Sequence, residues 1–163
     1  MTFQVGDNVV YPSQGAGVVE EMTTREVLGE TQQYLKIVFV RGDMEVLVPL
    51  RKGQEVGLRH TVGRDEIDQV YEALAKADLS LPTQWPPRYR AEQDILAGGS
   101  AYDLARLIGV LSKRDIEKGL AATEREVLES AKSMLTSELA VVQQLSLDEA
   151  SAQLEAFVAE RIT

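Results

Sequence analysis

The stretch Gly57-Leu58-Arg59-His60-Thr61-Val62-Gly63 separates two halves of the chain that have different hydrophobic periods. Before it, short runs of β-branched and aromatic residues alternate with glycine-containing turns, as in β-strands. After it, apolar residues recur with a period of about 3.6 residues, as in amphipathic helices. We therefore expect a domain boundary here, with a strand domain over residues 1–60 and a helical domain over residues 64–163.

Four segments before this boundary are rich in Val, Tyr, Thr, Ile and Phe, and they lie at residues 8–11, 15–27, 32–40 and 44–50. The predicted turns between them are Gly15-Ala16-Gly17, Leu28-Gly29-Glu30 and Arg41-Gly42-Asp43. Strands joined by such short turns pair antiparallel, and a small twisted sheet of about five strands curls up to remove its exposed edges. The first half therefore predicts a small SH3-like or Tudor-like antiparallel β-barrel.

The second half predicts an all-α domain of about five helices, which makes the fold class α+β. A first helix should stop before Asp78, and Pro86 and Pro87 suit the opening turn of a second helix. The other predicted helix limits are Gly98-Gly99 at the end of the second helix, Ser100 and Gly119 around the third, and the capping-box spacings Thr123…Glu126 and Ser146…Glu149 at the start of the last two.

The chain offers few groups for catalysis or metal binding. Its 163 residues include no cysteine and one histidine, His60, which excludes disulfides, thiolate nucleophiles, zinc fingers and His-rich metal sites. Carboxylates are the abundant acid–base candidates, but most of them, Glu124 and Glu126 included, fall on polar helix faces or in first turns. There a solvated surface explains them better than catalysis does. We expect a protein that is not an enzyme, with no catalytic residue, metal or cofactor.

The sequence also predicts where the protein resides. No apolar run approaches the ~18 residues that a membrane span requires. The first seven residues, Met1 to Asp7, lack the basic and apolar regions of a signal peptide. We therefore expect a cytoplasmic protein without membrane contact.

The net charge of −9 restricts the partners. Binding to DNA by a free protein depends on Lys and Arg displacing counterions, so an acidic chain needs another contact to hold it near DNA. Basic residues do gather between the predicted third and fourth helices, but acidic residues are interleaved with them, and pairing with helix C-termini is an adequate alternative explanation. These basic residues are Lys113, Arg114, Lys118 and Arg125.

The segment Leu81-Pro82-Thr83-Gln84-Trp85-Pro86-Pro87-Arg88-Tyr89-Arg90 is unusual because it surrounds the only tryptophan with three prolines. A stiffened Trp85 loses less entropy on binding, and its flat ring can wedge against a base while Arg88 and Arg90 reach phosphates. Alternatively, Trp85 packs into a crease between helices or domains, as tryptophan commonly does. The segment alone favours the packed alternative.

Together these features resemble the CarD family of bacterial transcription regulators nearly from end to end. The resemblance is carried by the opening Phe3-Gln4-Val5-Gly6-Asp7-Asn8-Val9-Val10-Tyr11-Pro12…Gly15-Ala16-Gly17, by Tyr34-Leu35…Val46-Leu47-Val48-Pro49, and by Trp85…Arg88-Tyr89-Arg90. The opening is also similar to the polymerase-binding module of transcription-repair coupling factors.

The resemblance implies that the barrel binds the outer lobe of the RNA polymerase β subunit by adding an edge strand to one of its sheets. Arg25, Val46 and Leu47 are the residues it implicates. Leu47 departs from the family pattern, which has a basic residue there in some members, so this sequence gives no support for a charged contact at that position.

The resemblance further implies that the helical domain meets promoter DNA at the upstream edge of the melted region, without reading bases. Trp85 would be a minor-groove wedge that stabilises the open complex. The implicated backbone contacts are Arg88, Arg90 and Arg125, with Lys113 and Arg114 beside them. Tethering to polymerase raises the local concentration near the promoter, so a weak DNA contact suffices despite the negative charge.

The main alternative is a protein–protein adaptor that docks on RNA polymerase without touching DNA. The acidity of the chain favours it, and it predicts a buried Trp85. No sustained heptad pattern indicates a coiled coil, and we expect a monomer.

Overall fold

The computed structural model describes residues 2–12 and 14–162, so the outer limits of the predicted domains, Met1 and Thr163, lie outside the described residues. Strands precede helices, and the predicted α+β class is confirmed. The elements are β1 Asn8–Tyr11, β2 Gly15–Val27, β3 Glu30–Phe39, β4 Glu45–Pro49, α1 Leu50–Val56, β5 Arg59–His60, a 3-10 turn Arg64–Glu66, α2 Ile67–Lys76, α3 Pro87–Gly98, α4 Ala101–Lys118, α5 Ala122–Gln143 and α6 Leu147–Arg161.

The five strands form one antiparallel sheet in the order β4-β3-β2-β1-β5. The longest pairing joins β2 to β3 and continues to the turn at Leu28 and Gly29, beyond the last residues that pair with β4. Leu35, Ile37 and Phe39 alternate along β3 and are buried, as expected for a strand with one face on a core. The predicted turn at Arg41-Gly42-Asp43 is confirmed, with Gly42 and Asp43 both at positive φ.

The glycines at the start of β2 are not a turn, contrary to the sequence prediction. The chain reverses before them, where the Gln14 N–H donates to the Tyr11 carbonyl at 2.9 Å. Gly15 and Gly17 lie inside the strand, where the space for a side chain is already filled. A Cβ on Gly15, whose φ is 100°, would lie 2.8 Å from Ser137 Oγ of α5. The missing side chain of Gly15 lets β2 approach α5 closely, and that of Gly17 lets β2 approach β3.

The sequence missed α1, because the pattern of residues 44–50 reads as one strand. The strand ends at Pro49, and one short helix follows it, closed by Gly57 in the left-handed conformation. Gly53 is buried in this helix, where a Cβ would meet Leu58 at 3.1 Å. The helix returns the chain to the sheet, so that β5 pairs with β1 and provides the fifth strand.

The five predicted helices of the second half are confirmed as α2 to α6. Ser100 caps α4, and Ser146 with Glu149 forms the predicted capping box of α6. The predicted box at Thr123…Glu126 is wrong, since α5 begins at Ala122 and places Thr123 within its first turn. No described helix combines the length and apolar character needed to cross a membrane.

The sheet and the helices meet at a buried set of polar contacts that we call the joint. Glu138 of α5 is 1% exposed and accepts both terminal nitrogens of Arg59, at 2.7 and 2.9 Å. Its carboxylate also accepts the Val62 N–H at 2.8 Å. Nearby, Ser137 Oγ accepts the Ala16 N–H at 3.0 Å, also in a buried position. The joint therefore ties α5 to β2 and to β5, which are far from it in sequence.

The joint predicts a large effect for Glu138→Ala. Removing one partner leaves the Arg59 guanidinium uncompensated, so the free energy of unfolding should fall by about 3–5 kcal/mol. Urea denaturation of the variant measures this loss.

Glu155→Ala is the matched control, since it breaks the ion pair of an exposed glutamate with Lys132, 3.0 Å away. This change should cost less than about 1 kcal/mol. Equal losses in the two variants would contradict the assignment of Glu138 as the central group of the joint.

Candidate functional site

The three residues implicated in polymerase binding lie together on the sheet. Arg25 of β2 and Val46 and Leu47 of β4 line one open depression that crosses the strands. Arg25 and Leu47 are exposed, and Val46 is partly buried against the core of the sheet. We call this depression the sheet face.

Val46 and Leu47 also line a second, more apolar depression on the other side of β4. Its remaining wall includes Tyr11, Phe39 and Met44. Strand β4 is at one end of the sheet order, and within the part of the chain that the structure describes its outer edge pairs with no strand. An unpaired edge flanked by exposed apolar side chains is suited to receive another extended segment.

Trp85 lies in the turn that precedes α3 and is 42% exposed. Its ring contacts the Tyr89 ring, with 5.1 Å between centroids, and the guanidinium carbon of Arg88, 5.1 Å from the ring centroid. The packed alternative predicted burial in a crease between helices. The structure instead leaves the ring at the surface, supported from one side. We call residues 83–90 the Trp85 tip.

The Arg88 side chain is mostly buried, whereas a side chain that contacts phosphate is expected at the surface. The side chain of Arg88 is only 13% exposed, and its Nε donates to Glu124 Oε2 at 2.9 Å. Nη1 donates to the Thr83 carbonyl at 2.8 Å, and Nη2 to Glu124 Oε1 at 3.4 Å. Arg88 therefore supports the tip from within, and three of its five N–H groups already donate hydrogen bonds.

Glu124 lies in the first turn of α5, as predicted, but the expectation of a solvated side chain is wrong because it is 3% exposed. Beside it, Glu92 of α3 is 0% exposed, and neither of its oxygens accepts a hydrogen bond in the described part of the chain. An ionised Glu92 would thus be a buried charge without donors. Burial therefore favours the protonated form of Glu92, whose O–H is then available to donate to Glu124.

The pKa values of the pair shift in opposite directions. Burial, and then the hydrogen bond and charge of Glu124, raise the pKa of Glu92 to about 8. Burial alone would raise the pKa of Glu124, but the hydrogen bond from Glu92 and the Arg88 and Arg114 guanidiniums outweigh it and lower that pKa. At neutral pH the cluster contains two guanidiniums, one carboxylate and one neutral acid.

The other predicted DNA contacts divide into two groups. Arg90 and Lys113 are exposed, and neither forms an ion pair within residues 2–12 and 14–162. Arg114 points to the buried Glu124 at 3.8 Å, and Arg125 forms a two-pronged ion pair with Asp115, at 2.8 and 3.2 Å. The Arg125 pair is exposed, and such pairs are weak enough to exchange for another anion. Arg90, Lys113 and Arg125 are thus the accessible cations.

Sequence reasoning missed the two glutamates that organise the tip. The spacing of Arg88 and Glu92 is four residues, which indicates a helical ion pair, but this signal occurs on many exposed helices. Nothing local marks Glu124, because its partners come from α3 and α4. No cluster of three or more metal-binding side chains is found among the described residues. His60 pairs with Asp7 at 3.1 Å and stacks on Phe3.

Comparison with known proteins gives two family matches and a relative. Residues 3–62 match the model of the CarD-like/TRCF RID domain, and residues 69–155 match that of the CarD C-terminal domain. The chain is 31% identical over 140 residues to a Bacillus subtilis strain 168 protein named "Putative transcription factor YdeB". That alignment covers 86% of this chain and 92% of the relative.

The raised pKa of Glu92 predicts that stability depends on pH. From the ordinary carboxyl value of 4.5 up to about 8, the folded state binds more protons than the unfolded state, so stability falls as pH rises. Glu92→Gln keeps the shape of the neutral acid and cannot ionise. It should exceed the wild type by more than about 1 kcal/mol at pH 8 and match it near pH 5, as measured by urea denaturation.

Glu72→Gln is the control, because Glu72 is an exposed glutamate paired with Arg161 at 3.4 Å. It should keep the pH dependence of the wild type. If Glu92→Gln also keeps that dependence, Glu92 is ionised in the folded protein and a raised pKa is excluded.

Proposed function

This chain belongs to the CarD family of transcription factors, and from that premise we propose that it binds the RNA polymerase β subunit with its sheet face and stabilises the promoter open complex with its Trp85 tip. Its family makes it a regulator of transcription. We propose residues 1–60 and 64–163 as the polymerase-binding and DNA-contacting domains. The observation that carries the proposal is the exposed ring of Trp85, supported by Tyr89 and Arg88.

Binding to polymerase is supported by the match to the RID model and by the geometry of β4. Addition of a strand from the outer lobe of the β subunit to this edge would satisfy backbone groups of both partners. Leu47 and Val46 would supply apolar contact and Arg25 a charged one. With leucine at position 47, apolar burial rather than an ion pair contributes the affinity at that point.

The DNA contact is supported by the composition of the tip. The Trp85 ring can enter the minor groove at a distorted step, while Arg90, Lys113 and Arg125 approach the phosphates without reading bases. Because burial favours the neutral form of Glu92, the cluster behind the tip carries one negative charge rather than two. We propose that Arg88 and Arg114 act from behind the tip, through Glu124, and do not contact phosphates.

Tethering explains how a chain with net charge −9 meets DNA. Attachment to polymerase makes the DNA contact effectively intramolecular, at a local concentration on the order of millimolar. A wedge that fits only opened or distorted DNA favours the open complex, and a preference of about 1.4 kcal/mol lengthens its lifetime tenfold. We therefore expect the free protein to bind promoter DNA weakly.

Trp85→Ala tests the DNA contact. The variant should bind polymerase as the wild type does and fold with stability within about 1 kcal/mol of it, since much of the ring is exposed. It should lose the lengthening of open-complex lifetime, measured as dissociation after addition of a competitor with the cognate polymerase.

Ile116→Ala is the control, because Ile116 is a large apolar residue of α4 that is 62% exposed and has no role in the proposal. It should lengthen the lifetime as the wild type does. If the wild type binds polymerase without changing the lifetime, the DNA contact is wrong for that promoter, and an adaptor that docks on polymerase alone explains the chain better.

Leu47→Glu tests the polymerase contact. A carboxylate in place of this apolar side chain should weaken binding to the isolated β-subunit lobe by about tenfold or more, as for a central interface residue. Val5→Glu changes an exposed apolar residue outside the sheet face and should bind normally. Equal binding of both variants, measured by calorimetry, would place the polymerase contact elsewhere.

A further inference from the structure

We propose that the buried Glu92–Glu124 carboxyl pair is a positioning device for Trp85 that acts through the guanidinium of Arg88. The use of that position rests on the proposed function, because a fixed ring matters to transcription only if Trp85 meets DNA. The positioning itself is a property of the free protein. It can therefore be tested without polymerase or promoter.

The ring of Trp85 is fixed by few groups. It lies outside both the helical core and the core of the sheet, and its aromatic neighbour is Tyr89 in the first turn of α3. The Arg88 guanidinium lies against the ring, 5.1 Å from its centroid. A planar cation in this position attracts the ring and supports it from the protein side.

Arg88 is itself held in place by two contacts, one with the backbone before Trp85 and one with helix α5. Its Nη1 holds the carbonyl of Thr83, two residues before the tryptophan, at 2.8 Å. Its Nε and Nη2 hold Glu124 of α5 at 2.9 and 3.4 Å. One guanidinium thus joins the backbone that enters the tip, the ring at the tip and a helix behind it.

Glu124 can act as the fixed point because three helices converge on it. Its carboxylate receives Arg88 of α3 at 2.9 Å, and Arg114 of α4 lies 3.8 Å away. Glu92 of α3 lies 3.7 Å from Arg88 Nε, and burial raises its pKa, which opposes a second negative charge beside Glu124. These contacts oppose rotation of the Glu124 carboxylate, and hence of Arg88.

The expected benefit is preorganisation. A ring that is already placed loses less freedom on entering DNA than one that samples several positions. The effect of this support from Arg88 should therefore be measurable as a longer open-complex lifetime. Its loss should reduce the lengthening produced by the protein about fivefold, which corresponds to about 1 kcal/mol, the upper range for an exposed cation–π contact.

The single tryptophan makes the test direct, since all tryptophan fluorescence of the free protein comes from Trp85. The measurement is collisional quenching by acrylamide, a neutral probe, in the folded state. Glu124→Gln removes the charge that fixes Arg88, and Arg88→Lys keeps a cation but loses the planar fork. Both variants should show a higher quenching constant than the wild type.

Glu72→Gln is the matched control, because it removes a glutamate charge from an exposed arginine pair between α2 and α6. Its quenching constant should equal that of the wild type. A purely structural role for Glu124 would lower the melting temperature and leave quenching in the folded state unchanged. If Glu124→Gln fails to fold, Arg88→Lys decides the question.

Unchanged quenching in the folded variants overturns the proposal, whatever the protein does at a promoter. The second readout is open-complex lifetime, where Glu124→Gln should bind polymerase normally and lose about four-fifths of the lengthening, as a fivefold reduction requires. If quenching rises but the wild type does not lengthen the lifetime, the positioning device stands and the proposed function fails. If quenching rises and the lengthening is retained, Trp85 is positioned by Arg88 for another purpose, which contradicts its role in open-complex stability.

Discussion

The arrangement of the sheet and the helices depends on the hydrogen bonds that the buried carboxylate of Glu138 accepts. It belongs to α5, yet it accepts hydrogen bonds from Arg59 of the sheet and from Val62 in the connection to the helices. A buried charge that loses its partner is strongly destabilising, so the sheet and the helices cannot part here without a large loss of free energy. The sheet face and the Trp85 tip are therefore parts of one body.

Helix α5 links this joint to the tip, because it carries a buried glutamate at each of the two places. Glu138 fixes the end of α5 that packs on the sheet, and Glu124 fixes Arg88 near its beginning. The two positions are about 21 Å apart along the helix axis. In the proposed function, polymerase binding at the sheet places Trp85 at the DNA through this rigid connection. Affinity comes from one end of the molecule and the effect on the promoter from the other.

The sequence was sufficient to predict the structure at positions where nearby capping or turn residues determine it, as at Ser146 with Glu149 or at Gly42 in its turn. It was misleading at positions whose environment depends on a residue far away in the sequence. The glycine at position 15 looks like a turn residue, but its lack of a side chain accommodates Ser137. Glu124 looks like a solvated first-turn acid, but guanidiniums from two other helices enclose it. Trp85 could be identified as unusual, whereas its exposure follows from the path of the proline-rich turn and not from its residue type.

In the proposed function, Trp85 touches promoter DNA only when polymerase holds the chain. The most direct measurement is photocrosslinking from a benzophenone amino acid incorporated at position 85 to labelled promoter DNA, with and without the cognate polymerase. We expect a crosslink at the upstream edge of the melted region in the presence of polymerase, little with DNA alone, and loss of the crosslink when Leu47→Glu is introduced into the same chain. Crosslinks to polymerase with none to DNA would contradict the proposed function.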